Sequence, residues 1–244
     1  MRPDASKKIA KVTPKSGPTP VIIGAVIAVV VVLAVVVAIV IGSKSGSSSS
    51  AQTPPAGVVG GTGGGILVNP ATAKPKAPTL DVYADFQCPI CGRFEKEFGA
   101  SIVAMAKAGQ VRYVAHMMSF LDLNLNNDSS KRATNAAACA ADAGKYIEYF
   151  SAVFAGQPAT EGAGYSDAQL TEFAKTAGIT GPALTTWQKC TSSGQHNQYV
   201  ADVETASGKA GVTGTPTVKL NGKDITKTLT TPESLAAAVK AATS

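Results

Sequence analysis

Apolar positions change rhythm along this 244-residue chain, and the changes mark its parts. From Val21 to Gly42 there is no rhythm at all: "VIIGAVIAVVVVLAVVVAIVIG" is continuously apolar and uncharged. At about 1.5 Å per residue it spans roughly 30 Å, the thickness of a bilayer core. Residues 43–78 carry few large apolar side chains and are rich in Ser, Gly, Pro, Ala and Thr, as in "SGSSSS" and "GGTGGG". This composition predicts a flexible linker. "TLDVYADF" (79–86) then reads as a buried strand. Phe94, Phe98, Ile102 and Met105 recur at helical spacing, with Pro89 suited to the first helical position. "VRYVAHMM" (111–118) is a second strand, parallel to the first because a helix joins them.

From about 129 to 208 the pattern is mostly helical. It includes an alanine-rich run, aromatics at Tyr146, Tyr149, Phe150 and Phe154, and a capped segment beginning at Ser166. "PTVKL" (216–220), an Asn-Gly turn and "KDITKTL" predict a hairpin. "TPESLAAAVKAA" closes as a helix capped by Thr231. Without the helical block, a β-α-β then β-β-α skeleton remains. The expected class is α/β: one domain over 79–244 with a helical insertion, preceded by a single transmembrane helix.

Charge refines this outline. Arg2, Lys7, Lys8, Lys11 and Lys15 precede the apolar run and only Lys44 closely follows it. Basic flanks favour the cytoplasm, so residues 1–20 read as a cytoplasmic tail and the remainder as extracytoplasmic. A cleaved export signal is the alternative, and it leaves the same part exported. The net charge of +6 belongs to the tail and linker: 79–244 holds fourteen Lys and Arg against fifteen Asp and Glu. A near-neutral domain gives no footprint for nucleic acid.

All four cysteines, Cys88, Cys91, Cys139 and Cys190, fall on the exported side. An even count in an oxidising compartment favours disulfides over metal. Cys88 stands where a strand hands over to a helix, and unpaired N–H groups at a helix start favour a thiolate. Cys91 is one turn on, within reach to resolve a mixed disulfide at Cys88. A zinc clip needs two more ligands, and the isolated His116 and His196 do not offer them, so no metal and no cofactor is assigned. His116 beside Met117 suggests a copper site, but strand alternation sends neighbours to opposite faces.

"VYADFQCPICGRFE", the long helical block and "GVTGTPTVKLNG", in that order, resemble the DsbA family of thioredoxin-fold disulfide oxidoreductases, in particular its membrane-anchored bacterial branch. The resemblance covers residues 79–244. It implies Cys88 and Cys91 as the redox pair, Pro89 and Ile90 as the dipeptide that tunes it, and Thr215-Pro216 as a cis-proline loop that offers backbone to an extended substrate. It also implies a structural disulfide in the region of Cys139 and Cys190. Well-known members carry histidine where this chain has Ile90, and some carry a buried acid where it has Val82. Asp85, three residues before Cys88, is a nearby carboxyl that shapes the loop or accepts a proton. The implied activity is disulfide formation in unfolded exported proteins with free thiols. Reoxidation then falls to a membrane partner, a quinone-linked oxidase on the same resemblance. A reductase or isomerase of the same fold, or a metal carrier without catalysis, are the alternatives.

Overall fold

The computed structural model describes residues 53–243. The basic tail and the apolar run 21–42 lie outside the described residues. Among those described, no helix is long and apolar enough to cross a membrane.

Among the described residues, five strands form one sheet in the order β1-β3-β2-β4-β5: β1 (Ile66–Leu67), β2 (Thr79–Asp85), β3 (Arg112–Met118), β4 (Thr217–Leu220) and β5 (Lys223–Asp224). β2 and β3 run parallel, from Thr79 opposite Arg112 to Asp85 opposite Met118. β4 runs antiparallel to β2, with Leu80 opposite Leu220 and Tyr83 opposite Thr217. Between β2 and β3 lie α1 (Pro89–Phe94), a π-helical turn (Glu95–Gly99) and α2 (Ala100–Lys107). The turn widens the helix by one residue, and Gly99 there leaves room for the Glu95 carboxylate, which would lie 2.5 Å from a Cβ at that position.

The helical block follows β3: α3 (Leu121–Leu125), α4 (Ser129–Asp142), α5 (Tyr146–Ala155), α6 (Asp167–Thr176), α7 (Gly181–Ser193) and α8 (Asn197–Lys209). α4 is its hub, touching α3, α5, α6, α7, α8 and β3. That explains its composition: Ala133, Ala136, Ala137, Ala138 and Ala140 are all at most 1% exposed, and small side chains let neighbours approach from several sides at once. Trp187 of α7 donates its indole N–H to the Ala136 carbonyl (3.0 Å) and lies 5.7 Å from Tyr149, centroid to centroid. Ser166 caps α6 by accepting from the Gln169 N–H. After β5 comes a short 3-10 turn, Thr226–Thr228, where the sequence suggested a longer hairpin arm. α9 (Pro232–Ala242), capped by Thr231, packs Leu235 and Val239 into the core.

Strand alternation sorts the core. Leu80, Val82, Ala84, Tyr113, Ala115 and Met117 join the main apolar cluster, while Tyr83 and Met118 join a smaller one with Val212. His116 and Met117 are therefore parted across the sheet. His116 pairs instead with Asp81 (2.9 Å) and stacks on Tyr83 (4.2 Å), as a satisfied packing residue.

The stretch expected as a linker over 43–78 is, from residue 53 on, part of the folded unit. β1 pairs antiparallel with β3, Ile66 opposite Ala115. The side-chain amide of Asn69 donates to the carbonyls of Ala106 (2.9 Å) and Val111 (3.0 Å), and its oxygen accepts from the Tyr113 N–H (3.0 Å). The glycines are there for close approach, not slack. A Cβ on Gly63 would sit 2.2 Å from the Asp202 carbonyl oxygen, and one on Gly65 2.6 Å from the Val114 side chain.

Candidate active site

Strand β2 ends inside the core, and the chain turns there onto α1. Cys88 is the N-cap of α1, with extended backbone (φ −75°, ψ 115°), and Pro89 follows in the first turn, where its missing N–H leaves nothing unpaired. The Cys88 sulfur accepts from the Cys91 N–H at 3.3 Å. From the far side of the sheet's end, 127 residues on, the Thr215 carbonyl lies 3.6 Å from the same sulfur and accepts from its thiol. The Thr215-Pro216 peptide bond is cis. Cys88 is 6% exposed, Cys91 1% and Ile90 54%, so an apolar side chain stands in solvent beside a sulfur that is only just reachable.

The two sulfurs, both reduced here, are made unlike by their surroundings. Hydrogen bonding from the Cys91 thiol is the chief influence on Cys88; against the cost of burial, and with help from the N–H groups of Cys91 and Ile90, it brings the Cys88 thiol down to about 6. Burial, then the neighbouring Cys88 sulfur, pushes Cys91 far up. At neutral pH one sulfur is an anion and its partner a thiol.

Beneath them lies a polar network that sequence spacing could not reveal. Asp85 is fully buried. Its Oδ1 accepts from the Gln87 N–H (2.8 Å) and the Ser130 hydroxyl (2.5 Å), and its Oδ2 from the Leu121 N–H (3.3 Å). Burial outweighs these bonds and raises its carboxyl to about 7. The Gln87 amide donates to Asp122, Asn127 and Ser130, tying the turn to α3 and α4. Gln157, just past α5, donates to the carbonyls of Phe86 (2.8 Å) and Cys88 (2.9 Å), and the Tyr165 hydroxyl also reaches the Phe86 carbonyl (2.7 Å). Gly92 is shaped to this: a Cβ there would meet the Gln157 amide oxygen at 2.1 Å. Glu95, within the π-helical turn, is a second carboxyl raised to about 7 by burial, partly offset by the Ser151 hydroxyl at 3.1 Å.

Asp85, Cys88, Pro89, Ile90, Cys91, Thr215 and Pro216 thus share one end of the sheet. Cys139 and Cys190 lie in the helical block, where they form a disulfide joining α4 to α7, 51 residues apart. The positions missed from sequence are Gln87, Glu95, Ser130, Gln157 and Tyr165. Gln87 adjoins Cys88 and Glu95 lies one turn past Cys91 on the same helical run; Ser130, Gln157 and Tyr165 reach the site through the fold.

Comparison with known proteins agrees with this geometry. A family model described as thioredoxin matches residues 69–241. The chain is 32% identical to the reduced DsbA of Mycobacterium tuberculosis, with a TM-score of 0.58 over 70% of this chain and 85% of that one. It is 28% identical to a disulfide bond oxidoreductase, DsbG, of the same organism (TM-score 0.58, 82% and 90% covered). MdbA, a thiol-disulfide oxidoreductase of Actinomyces oris, shares the fold at 21% identity (TM-score 0.63, 82% and 98% covered). Among curated relatives, the serine/threonine-protein kinase PknE of Mycobacterium tuberculosis is 30% identical over 153 residues, 60% of this chain. The chain spans about a quarter of the length of the curated relatives it matches. With the thioredoxin model matched over most of its length and a DsbA structure matched at 32% identity, the chain belongs to the thioredoxin family and is a DsbA-like thiol:disulfide oxidoreductase.

Proposed function

We propose that this enzyme works as a disulfide oxidase on exported proteins, through Cys88 and Cys91, from the outer face of the cell membrane. The supporting observation is the asymmetry of the two sulfurs: the Cys88 thiol is brought down to about 6, while Cys91 is buried and pushed up. Stabilising a thiolate stabilises the reduced pair, which makes the disulfide form a stronger oxidant.

In the reaction, a client thiolate attacks Cys88 Sγ of the Cys88–Cys91 disulfide. The S–S bond between the cysteines breaks, and Cys91 leaves and takes a proton. A second client thiolate attacks the client sulfur of the mixed disulfide and expels the Cys88 thiolate. The client loses two electrons and two protons, and the cysteine pair gains the electrons. Pro89 starts the helix whose N–H groups face the Cys88 sulfur, and Ile90 offers an apolar edge to a client. Thr215 presents its backbone beside the sulfur, with Pro216 holding the loop. Asp85, with a carboxyl raised to about 7, exchanges a proton during the proposed cycle. Cys139–Cys190 braces the helical block. A membrane oxidase, quinone-linked on the family resemblance, restores the pair.

Anchoring rests on the uncharged run 21–42 and its basic N-terminal flank, which put residues 1–20 inside and the domain outside. Equilibration with glutathione tests the direction of electron flow. An oxidase is expected to have a potential more positive than about −200 mV, whereas a value near the roughly −270 mV of thioredoxin sinks this reading in favour of a reductase. Retention in the membrane pellet after alkaline extraction tests the anchor.

A further inference from the structure

The disulfide in the helical block has a neighbour with no role in the redox site. His196, the residue before α8, is 1% exposed, and one of its ring nitrogens lies within 4.8 Å of both Cys139 and Cys190 sulfurs, which are themselves within that distance of each other. Its Nε2 is 2.7 Å from Oδ2 of Asp142, the last residue of α4 and three on from Cys139. A carboxylate accepts only, so Nε2 carries a ring proton, and in the neutral imidazole, the form that ligates metal, Nδ1 keeps a bare lone pair. That Nδ1 is buried and, among the described residues, has no hydrogen-bond partner. The backbone holds the ring in place: the His196 N–H donates to Asn135 Oδ1 at 2.9 Å.

An acceptor without a donor is costly in a packed interior, by about 1–3 kcal/mol. A disulfide has no proton to offer it. A carboxylate on one imidazole nitrogen, an unpartnered second nitrogen, and two sulfurs within 4.8 Å of the ring together match how proteins orient a histidine ligand. Two thiolates and one imidazole are the donor set of a tetrahedral zinc site with its fourth position left to water. Zn–S and Zn–N bonds of about 2.3 and 2.0 Å put such donors roughly 3.5–3.8 Å apart. The ring nitrogen already lies within 4.8 Å of both sulfurs, and the sulfurs, bonded in the disulfide, move apart on reduction to make room for the ion.

We infer that reduced Cys139 and Cys190, together with His196 Nδ1, form a binding site for a thiophilic divalent cation such as zinc. The step balances. A dithiol reductant gives two electrons and two protons to the Cys139–Cys190 disulfide and becomes a disulfide itself; the cation then displaces the two thiol protons. Asp142, its side chain 37% exposed, gives the site its solvent-facing side and keeps the imidazole turned inward. The connection between α4 and α7 then exists in both redox states, as S–S or as S–metal–S.

The test uses the full chain in detergent with Cys88→Ser and Cys91→Ser, so that no other thiols remain. After reduction by a phosphine and its anaerobic removal, zinc is titrated in competition with a chromophoric chelator. The site predicts one zinc per reduced chain, none per oxidised chain, and thiolate-to-metal charge-transfer absorption when cobalt(II) replaces zinc. His196→Gln is expected to abolish tight binding. Asp142→Asn, which touches neither sulfur, is expected to weaken it about 10–100-fold, and decides the matter if His196→Gln does not fold. Absence of stoichiometric zinc in the reduced chain, or an affinity unchanged in these variants, overturns the inference.

Discussion

Cys88 Sγ and the Thr215 carbonyl oxygen stand 3.6 Å apart across 127 residues of sequence. The thiol donates to this carbonyl, and its thiolate accepts from the Cys91 N–H on the other side. The sulfur therefore has a partner in either protonation state. Thiolate absorbance of the reduced chain should titrate with a midpoint near 6. Below that pH, alkylation of Cys88 should slow about tenfold per unit. Cys91→Ala removes the largest stabilising contact and should move the midpoint up. A midpoint close to the ordinary cysteine value of about 8.5 would contradict the assignment.

Ile90 is more than half exposed, so the dipeptide can be changed without disturbing the core. Ile90→His adds a donor one residue before Cys91. A charge-assisted hydrogen bond of about 1.5–3 kcal/mol to the Cys88 thiolate would raise the potential by roughly 30–60 mV. Glutathione equilibration of the two proteins side by side measures it, and an unchanged potential counts against control by this position.

Asp85 gives stability a pH dependence of unusual sign. Its folded value, about 7, lies above the ordinary 3.8, so between these pH values the folded chain holds a proton that the unfolded chain has released. Its contribution is complete below about pH 4 and lost as pH rises through 7, a swing of about 4 kcal/mol. Asp85→Asn keeps an oxygen for the Gln87 N–H and the Ser130 hydroxyl and does not ionise. Urea unfolding should show the variant gaining on the parent as pH rises from 4.5 to 8. Glu95, raised for the same reason, keeps its own share of the trend in both proteins. Parallel stability curves would refute the assignment.

Gln157 and Gly92 form a single device. Gln157→Ala removes donors to the Phe86 and Cys88 carbonyls, each of which keeps one partner, Tyr165 for Phe86 and the Gly92 N–H for Cys88. The expected cost is about 1 kcal/mol, or about 2–4 °C in Tm. Gly92→Ala displaces the same amide, so the double variant should lose little more than either single one. Full additivity in calorimetry would separate the two residues.

Removing the Cys139–Cys190 bond opens a loop of about 50 residues. Replacing both cysteines by alanine should cost up to about 4 kcal/mol by the chain-entropy model, seen as a lower Tm of the oxidised protein. An unchanged Tm would mean that α4 and α7 are held by packing alone.

Much of this was legible in the residues. The strand into Cys88, the helix out of it and the helical block announced themselves by period and by caps. What was hidden is contact over distance. Ser130, Gln157 and Tyr165 lie 43 to 79 residues from the turn they secure, and nothing local marks a serine or glutamine as a partner for Asp85 or Cys88. The glycine-rich stretch was misleading for a different reason. Absence of large side chains reads as absence of a core, yet Gly63 and Gly65 lack side chains because α8 and β3 are too close to admit them.

On the proposed function the enzyme handles unfolded chains, which carry extended segments looking for a neighbour to ladder with. Its own sheet gives them nothing to zip onto. Both flanking strands are two residues long, and one of them consists of solvent-exposed Lys223 and Asp224. Brevity and charge at a sheet's margin discourage edge-to-edge aggregation. An enzyme acting as proposed can seize a misfolded client by its sulfur and let it go without serving as a seed for the client's precipitation.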